Sequence, residues 1–256
     1  MKSSLKLYTA EDQARGAFDG GRITEIKPIG FRGEGSKVTR LGPLFYWAWA
    51  TSHEKSVIAL HPHQGFEIIS YVIEGEIGHY DTLGGNKTVG TGGLQGMQTG
   101  SGVSHEESFE GKTDFFQIWF EPNLREAMQT EPKYWNFYHD DFPLEQYDGI
   151  TIKTIIGTGS KVKMTADVKM WDIKIESNHE FQLELNEKRY LAVVVISGGG
   201  NAENESGSLV LTRTDFLVVE TFEKSSVTFT SNSADHLRLS IVEVPVKVDY
   251  PLYPNF

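Results

Sequence analysis

Cysteine is absent from all 256 residues of the sequence. Its absence excludes disulfide bonds, thiolate metal ligands and a cysteine nucleophile, and it is compatible with a reducing compartment. Long hydrophobic runs are also absent, since no stretch approaches the roughly 20 apolar residues of a membrane-spanning helix. The first six residues, MKSSLK, are not followed by the apolar run of a secretory signal. We therefore expect a cytoplasmic protein that has no membrane partner.

The sequence has fewer basic than acidic residues. The chain has 24 lysine and arginine residues against 35 aspartate and glutamate residues, which gives a formal net charge of −11. No block of lysine or arginine stands out, and so we expect neither nucleic acid nor an anionic membrane surface as a partner. This charge balance leaves small molecules and other proteins as candidate partners.

Signals for α-helices are weak, whereas short strands recur. Residues 9–15 and 123–130 could each form one or two helical turns. Runs of β-branched and aromatic residues lie between glycine-rich turns, and the sequence has 26 glycines. The predicted strands cover residues 23–29, 44–50, 66–73, 94–99 and 115–120. Short strands with such turns indicate an all-β sandwich or barrel.

The second half of the chain resembles a diverged copy of the first. The matching pairs are residues 189–199 with 68–75 and residues 237–244 with 115–121. Both pairs lie about 122 residues apart, which is typical of a tandem duplication. Between the copies, residues 121–149 are rich in proline and aromatic residues and are predicted to form an ordered connection. We predict two domains, residues 1–135 and residues 136–256.

Two pairs of potential metal ligands share the same spacing. His61 and His63 are separated by one residue, and so are His105 and Glu107. Side chains two residues apart on a strand point to the same face. A single pair of this kind is more often incidental than functional. If two strands bring both pairs together, three imidazoles and one carboxylate converge on one point.

Such a ligand set suits a transition-metal ion. Neutral imidazole binds Zn, Cu, Fe and Ni well, and a carboxylate extends the choice toward Fe and Mn. Three histidines and one glutamate leave coordination positions open, which is typical of catalysis or substrate chelation rather than of a structural site.

The second copy lacks these ligands. At the same offset, the matching positions are Leu183 for His61, Leu185 for His63 and a position near Thr228 for His105. We therefore predict one metal ion, bound in the first domain only.

Other residues near the motifs have less specific roles. Glu67 could be a ligand or could accept a hydrogen bond from an imidazole N–H. The other five histidines are interpreted as surface or hydrogen-bonded structural residues: His53, His79, His139, His179 and His236. Apolar residues predicted to line a pocket beside the metal are Phe45, Trp47, Phe66, Met97 and Trp119, although part of this set could be plain core.

The motifs resemble those of a known family. Residues 61–67 (HPHQGFE) and 79–84 (HYDTLG) resemble the first signature of the pirin family of bicupins. Residues 95–107 (QGMQTGSGVSHEE) resemble its second signature, and residues 116–122 resemble the strand that closes the family's N-terminal barrel. The resemblance is dense over about residues 40–135 and looser in the second half.

The resemblance implies an all-β fold of two tandem cupin barrels of the double-stranded β-helix, or jelly-roll, type. It implies one divalent metal ion in the N-terminal barrel, held by His61, His63, His105 and Glu107, with iron favoured and nickel, manganese, zinc and copper left open. Glu67 would take the place of the cupin glutamate, which pirins do not usually use as a direct ligand. Gly96 stands where the family often has a bulky residue, a difference that could widen the pocket.

The resemblance also implies two functions that remain open. The first is a metal-dependent dioxygenase of the quercetin 2,3-dioxygenase type, which opens the ring of a flavonol-like substrate with dioxygen and uses Glu107 to accept the substrate's hydroxyl proton. The alternative is a non-enzymatic, redox-sensing regulator that binds other proteins. Another enzyme class on the same scaffold also remains open, because fold does not determine function. We expect a monomer in either case.

Overall fold

The computed structural model describes residues 2–232 and 236–253. The chain forms two compact units, which we call the first and the second barrel. The first barrel contains Asp12–Asp141, Met164–Ala166 and the tail from residue 249 to residue 253, and the second barrel contains the other described residues. Each barrel therefore takes short segments from the other half of the chain. The division at residues 135 and 136 remains a prediction about domain organisation.

Regular structure in the described residues is almost entirely β. The N-terminal strand is β1 (Ser3–Tyr8). The strands of the first barrel are β2 (Ala14–Phe18), β3 (Ile23–Ile29), β4 (Leu44–Ser52), β5 (Ser56–His63), β6 (Glu67–Glu74), β7 (Glu76–Asp81), β8 (Asn86–Gly90), β9 (Leu94–Gln98), β10 (Val103–Phe109), β11 (Thr113–Phe120) and β12 (Lys133–Phe137). Helical structure comprises α1 (Leu124–Ala127) and single 3-10 turns at Ala10–Asp12, Asp19–Gly21 and His139–Asp141.

The first barrel is built from two antiparallel sheets. One has seven strands in the order β12-β9-β6-β11-β4-β3-β2, and the other has four in the order β5-β10-β7-β8. Apolar side chains from both sheets meet in one buried cluster: Ile23, Ala50, Val72, Ile77, Val89, Phe109 and Phe115. The side chains alternate along β10, where residues 103, 105, 107 and 109 are buried. The predicted ligands on β10 therefore point into the barrel.

The second barrel repeats this strand order. Its strands are β13 (Leu144–Tyr147), β14 (Ile150–Ile156), β15 (Lys169–Glu176), β16 (Glu180–Leu185), β17 (Arg189–Ser197), β18 (Gly199–Asn204), β19 (Gly207–Thr212), β20 (Phe216–Thr221), β21 (Ser225–Ser231) and β22 (His236–Pro245). They form sheets in the orders β1-β20-β17-β22-β15-β14-β13 and β16-β21-β18-β19. The N-terminal strand β1 occupies the edge position that β12 holds in the first barrel.

The second barrel has an apolar interior where the first has its histidines. Leu183 pairs with Val227 across β16 and β21, just as His61 pairs with His105 across β5 and β10. The counterpart of His105 is thus Val227, one residue before the predicted position near Thr228. Leu183 packs against a core cluster that contains Val227 and Phe229. Among the described residues, this barrel brings no set of metal ligands together.

Most predicted elements are found in the structure. The five predicted strands correspond to β3, β4, β6, β9 and β11, and the two helical segments contain only single turns. The connection at residues 121–149 also contains β12, which pairs with β9, and β13, which pairs with β14.

Gly75 and Gly198 lie at matching tight turns of the two barrels. Their φ angles are 89° and 75°, a backbone conformation that favours glycine. No helix in the described part of the chain is long and apolar enough to span a membrane.

A substitution in the second barrel tests whether its apolar interior is closely packed. Phe229 is fully buried, and we expect Phe229→Ala to lower the free energy of unfolding by about 3–5 kcal/mol, because a cavity replaces a buried ring. Val210→Ala, at a side chain that is 68% exposed, is the control and should change it by less than about 0.5 kcal/mol. Urea unfolding measures both. A similar small change for both variants would contradict a close-packed interior.

Candidate metal centre

Strands β5 and β10 bring the three predicted histidines together. His61 lies directly opposite His105 in the antiparallel pair, and His63 follows two residues later. The ring centroids are 4.7 Å apart for His61 and His63, 4.5 Å for His61 and His105, and 5.0 Å for His63 and His105. One potential ligand atom from each residue lies within 4.8 Å of the other two. The spacing argument thus leads to a single cluster of three imidazoles.

A β-bulge in β5 aims His61 into the barrel. Between His105 and Glu107, the partner on β5 moves by three residues, from His61 to Ile58. The extra residue in β5 lets both Ile58 and His61 face inward, which strict alternation would forbid. The same kink brings Nδ1 of His61 to 2.8 Å from the carbonyl oxygen of Ala59. If Nδ1–H donates this bond, Nε2 keeps a lone pair for a metal ion.

Burial keeps two of the three imidazoles neutral. Desolvation lowers the pKa of His63 to about 3, and the nearby His105 and His61 reinforce the shift. Desolvation likewise lowers the pKa of His105 to about 3, with His61 and His79 as further causes. Both rings are therefore uncharged at neutral pH. Neutral imidazole is the form that binds a metal ion.

The donor atoms fit a metal ion. Nε2 of His63 and Nδ1 of His105 are buried and lack a hydrogen-bond partner. A buried polar atom without a partner destabilises a protein, and such atoms in native proteins usually serve a ligand or an ordered water. Three convergent imidazoles, two with an unpaired buried nitrogen, supply the borderline-soft donors that transition metals prefer.

Glu107 lies on the same face of β10 but stands apart from this cluster. It is fully buried, and the group of convergent ligand atoms found among the described residues does not include its carboxylate. Ser70 Oγ and Gln95 Nε2 donate hydrogen bonds to its Oε1, at 2.8 and 3.0 Å. Gln117 Nε2 donates to Oε2 at 2.8 Å. These three bonds hold the carboxylate in one orientation, and its assignment as a metal ligand remains a prediction.

The carboxylate of Glu67 is held by partners other than the imidazole N–H considered from the sequence. Its buried carboxylate accepts hydrogen bonds from the backbone N–H groups of Thr165 and Ala166, at 2.6 and 2.8 Å. Gln98 Nε2 donates a third bond at 2.8 Å. Glu67 therefore fastens the segment Met164–Ala166 to the first barrel. The sequence could not indicate this partner, because it lies almost one hundred residues further along the chain.

His79 and Tyr134 are residues of the site region that sequence reasoning missed. His79 is buried on β7, opposite Glu107, and its Nε2 lies 2.7 Å from Oδ2 of Asp81. The rings of His79 and Tyr134 stack with centroids 4.0 Å apart, and the ring of His79 is 5.4 Å from that of His105. The interpretation of His79 as a hydrogen-bonded structural residue omitted its position beside the cluster. The sequence does contain a signal for this position. His79 and Asp81 are separated by one residue, which is the same spacing as in the two pairs of potential metal ligands.

Asp81 fixes the orientation of His79. Its other oxygen, Oδ1, accepts hydrogen bonds from the backbone N–H groups of Leu83 and Gly85. Burial alone would raise the pKa of Asp81, but the hydrogen bonds from His79 and from these N–H groups outweigh it and lower the pKa. Asp81 is thus an ionised acceptor, and Nε2 of His79 carries the hydrogen that it receives.

The cavity beside the cluster is more polar than predicted. It has a volume of about 540 Å³ and opens next to His63. Its other lining residues include Gln64, Thr82, Ser101 and Ser104. None of the five apolar residues predicted for the wall belongs to this lining.

The predicted wall residues divide into separate groups. The ring of Trp119 is 4.8 Å from that of His63, and Phe45 and Phe66 pack behind it. Met97 lines a smaller cavity, whereas Trp47 packs edge-on against Phe116.

The glycine at position 96 does not widen this cavity. A side chain there would meet Trp135 and Ile69, which lie on the face of β9 away from the histidines. A Cβ atom at position 96 would lie 3.1 Å from the Trp135 ring, which leaves little room there for a larger residue.

The lowered pKa values predict a pH-dependent stability of the metal-free protein. His63 and His105 have a pKa of about 3 in the folded state, against about 6.5 for histidine in an unfolded chain. The unfolded state thus binds more protons between these values, and the free energy of unfolding should fall as the pH drops below about 6.5. Each histidine should contribute up to about 2 kcal/mol by about pH 5. Urea unfolding of chelator-treated protein at several pH values measures this change. In the double variant His63→Leu/His105→Leu, the free energy of unfolding should depend less on pH. The same pH dependence in the variant and the unmodified protein would contradict the prediction.

The contacts of Glu67 predict that it can be removed without loss of the metal. Glu67→Ala should lower the free energy of unfolding by about 1–3 kcal/mol, because two backbone N–H groups lose their acceptor. Elemental analysis should find the same metal content as in the unmodified protein, whereas His63→Ala should lose it. Glu74→Ala, at the exposed end of the same strand, is the matched control. Metal loss in Glu67→Ala would instead indicate a ligand.

Comparison with known proteins finds similarity to the family that the motifs resemble. The family model for Pirin matches residues 46–120, which include β5, β10 and all three histidines. A pirin-like protein of Caulobacter vibrioides is 32% identical over 148 residues, covering 54% of this chain and 53% of the relative. The chain thus matches about half the length of that curated relative.

Solved structures share the whole fold. A quercetin 2,3-dioxygenase from Acinetobacter baumannii superposes with a TM-score of 0.80 at 22% identity, covering 100% of this chain and 91% of the other. The bacterial pirin YhhW from Escherichia coli, in complex with nickel(II), gives a TM-score of 0.76 at 18% identity, covering 94% and 99%. Two tandem cupin barrels are therefore the fold of this protein. Residues 46–120 of this chain thus match the family model for Pirin, and the chain shares its fold with the bacterial pirin YhhW.

Proposed function

We propose that this protein is a metal-dependent dioxygenase of the quercetin 2,3-dioxygenase type. The observation that carries the proposal is the convergence of three histidines, two of them held neutral by burial, beside a cavity open to solvent. The relatives support it through their names: a structural neighbour is a quercetin 2,3-dioxygenase, and another holds nickel(II).

His61, His63 and His105 would hold one divalent metal ion. Iron is our first choice, and the nickel complex of the related pirin keeps nickel as the next. The ion would supply Lewis-acid and redox chemistry toward a flavonol and dioxygen. The protein would orient the ligand rings through the bulge in β5, through the carbonyl of Ala59, and through Trp119 against His63.

The cavity beside His63 would receive the substrate. Its volume of about 540 Å³ is in the range of small-molecule sites. The hydroxyl and amide groups of Gln64, Thr82, Ser101 and Ser104 would pair with a polyhydroxylated aromatic molecule, whose ring edges carry hydroxyl groups. The aromatic cluster of Phe45, Phe66 and Trp119 would support the wall next to His63.

Glu107 would take up the proton of the flavonol hydroxyl. It is fully buried on the strand that carries His105, and Ser70, Gln95 and Gln117 hold both of its oxygens. A carboxylate positioned in this way can act as a general base without first reorganising. In the proposed reaction, one flavonol and one dioxygen are consumed, the central ring opens and carbon monoxide is released. We also propose Glu107 as the fourth ligand of the ion.

Turnover by defined metal forms tests the proposal. The purified protein would be loaded anaerobically with Fe(II), Ni(II), Mn(II), Cu(II) or Zn(II), and flavonol loss, oxygen uptake and carbon monoxide release would be measured together. We expect equal amounts of all three with at least one metal. Glu107→Gln should reduce kcat by about 10²–10⁴, and His63→Ala should abolish metal binding and turnover. His53→Ala, at an exposed histidine, is the control.

Other outcomes would redirect the assignment. A fully metal-loaded protein that consumes neither flavonol nor oxygen would overturn the dioxygenase proposal. In that case the redox-sensing, protein-binding function would be tested by comparing partners bound in the two oxidation states of the metal.

A further inference from the structure

A buried ion pair on strand β3 of the first barrel has no part in the proposed reaction. Glu25 and Lys27 lie two residues apart on this strand, and only 7% and 6% of their surfaces are exposed. Nζ of Lys27 lies 3.5 Å from Oε2 of Glu25 and donates a hydrogen bond to Oε1 of Glu34 at 2.6 Å. A buried ion pair seldom stabilises a protein more than packed apolar residues of similar size would. Stability alone therefore does not account for this group.

Tyr46 and Trp119 connect this ion pair to the candidate metal centre. The hydroxyl of Tyr46, which is 5% exposed, donates a hydrogen bond to Oε1 of Glu25 at 3.2 Å. The ring centroids of Tyr46 and Trp119 are 5.3 Å apart, and the ring of Trp119 lies 4.8 Å from that of His63. Two aromatic rings in contact thus lead from a predicted metal ligand to a carboxylate.

The side chains along this route have the chemistry of a redox relay. Tryptophan and tyrosine are the aromatic side chains that lose an electron most readily, and tyrosine does so easily only when its hydroxyl proton has an acceptor. Burial raises the pKa of Tyr46 well above its usual range, so that the hydroxyl keeps its proton until an electron is removed. Burial also raises the pKa of Glu25, although Lys27 opposes the shift. Glu25 is therefore a stronger base than an exposed carboxylate.

We propose that Trp119 and Tyr46 form a one-electron relay that carries oxidising equivalents away from the metal centre, with Glu25 as the acceptor of the tyrosine proton. The inference rests on the metal centre of the proposed function, with iron as the ion, but it needs no flavonol. The oxidant is a peroxide, which a site that handles dioxygen and a redox-active ion is exposed to.

The electrons and protons of this reaction balance. The reduction of one hydrogen peroxide to two water molecules takes up two electrons, together with two protons from solvent. Fe(II) supplies one electron and becomes Fe(III), and Trp119 supplies the other. Tyr46 then returns an electron to Trp119 and transfers its hydroxyl proton to Glu25. The products are two water molecules, Fe(III), a neutral tyrosyl radical and a protonated Glu25.

The end of the relay lies in a shielded position. The ring of Phe31 stacks on that of Tyr46, with centroids 4.8 Å apart. Phenylalanine is much harder to oxidise than tyrosine, and the radical therefore remains on Tyr46. The relay spares the imidazole of His63, which would otherwise be the nearest oxidisable group at the metal centre.

Rapid-freeze electron paramagnetic resonance of the iron-loaded protein tests the relay in the absence of flavonol. Anaerobic Fe(II) protein mixed with hydrogen peroxide should give a radical signal that narrows when the protein contains ring-deuterated tyrosine. Tyr46→Phe, which keeps the ring, should lose this signal. Tyr71→Phe, at a fully buried tyrosine on β6, is the matched control and should keep it. Oxidation of Fe(II) without a tyrosyl radical, or an unchanged signal in Tyr46→Phe, would overturn the proposal.

The proton acceptor is tested by Glu25→Gln, which keeps the size of the side chain and removes the base. This variant should bind the same amount of iron but form the radical about 10²-fold more slowly. Heavy water should slow radical formation in the unmodified protein, because the hydroxyl proton moves with the electron. The same rate of radical formation in Glu25→Gln and the unmodified protein would contradict the role of Glu25.

Peptide mapping of the unmodified protein decides the question even if the variants fail to fold. After repeated additions of peroxide, mass spectrometry should find oxidation at Tyr46 and Trp119 before His63, and oxidation of His63 first would overturn the relay. A protein that binds no iron would also overturn it. A protein that forms the radical but consumes no flavonol would disprove the proposed function alone, and flavonol turnover without the radical would disprove the relay alone.

Discussion

The need to satisfy polar groups inside a closed barrel governs the architecture of the first domain. Glu107 is fully buried, and it is stable there because Ser70, Gln95 and Gln117 donate to its oxygens. The same desolvation keeps His63 and His105 uncharged, which is the form of imidazole that can bind a metal ion. In a medium of low dielectric constant, a fully paired network is rigid and a partly paired one is costly. The strand order, the bulge in β5 and the hydrogen-bonding side chains of β6, β9 and β11 all serve this requirement.

The second barrel meets the same requirement by avoiding polar groups in the equivalent layer. Glu107 pairs with His79 across β10 and β7, and the corresponding pair across β21 and β18 is Phe229 with Ala202. Ser70 pairs with Gln95, and the corresponding pair across β17 and β20 is Val193 with Leu217. Replacing both partners of a buried polar pair by apolar groups can be nearly neutral for stability, whereas replacing one is not. The second barrel accordingly has apolar residues at both members of each corresponding pair.

Local rules predicted which histidines come together, and tertiary contacts supplied what the sequence could not indicate. The spacing of His61 and His63 sufficed to place them on one face of a strand, because side-chain alternation is a property of any strand. The bulge in β5 and the bonds from Glu67 to residues 165 and 166 depend on distant segments, and no local pattern encodes them. His79 was assigned correctly as hydrogen-bonded, but its place beside Glu107 follows from the pairing of β7 with β10. Aromatic content alone could not separate Trp119, whose ring contacts His63, from Trp47, whose ring packs against Phe116.

The edge strand β1 has a consequence for how the chain acquires its structure. Ser3 pairs with Thr221, so that β1, at the edge of its sheet in the second barrel, joins a partner more than two hundred residues further along the chain. Until β20 has emerged from the ribosome, β1 has no sheet to join, and until β1 arrives, β20 has an open edge. Pairings between such distant segments form slowly, and unpaired edges are prone to associate with other chains. The second barrel can therefore close this edge only after β20 has been made, and until then the open edge is a place where a chaperone would bind the folding chain.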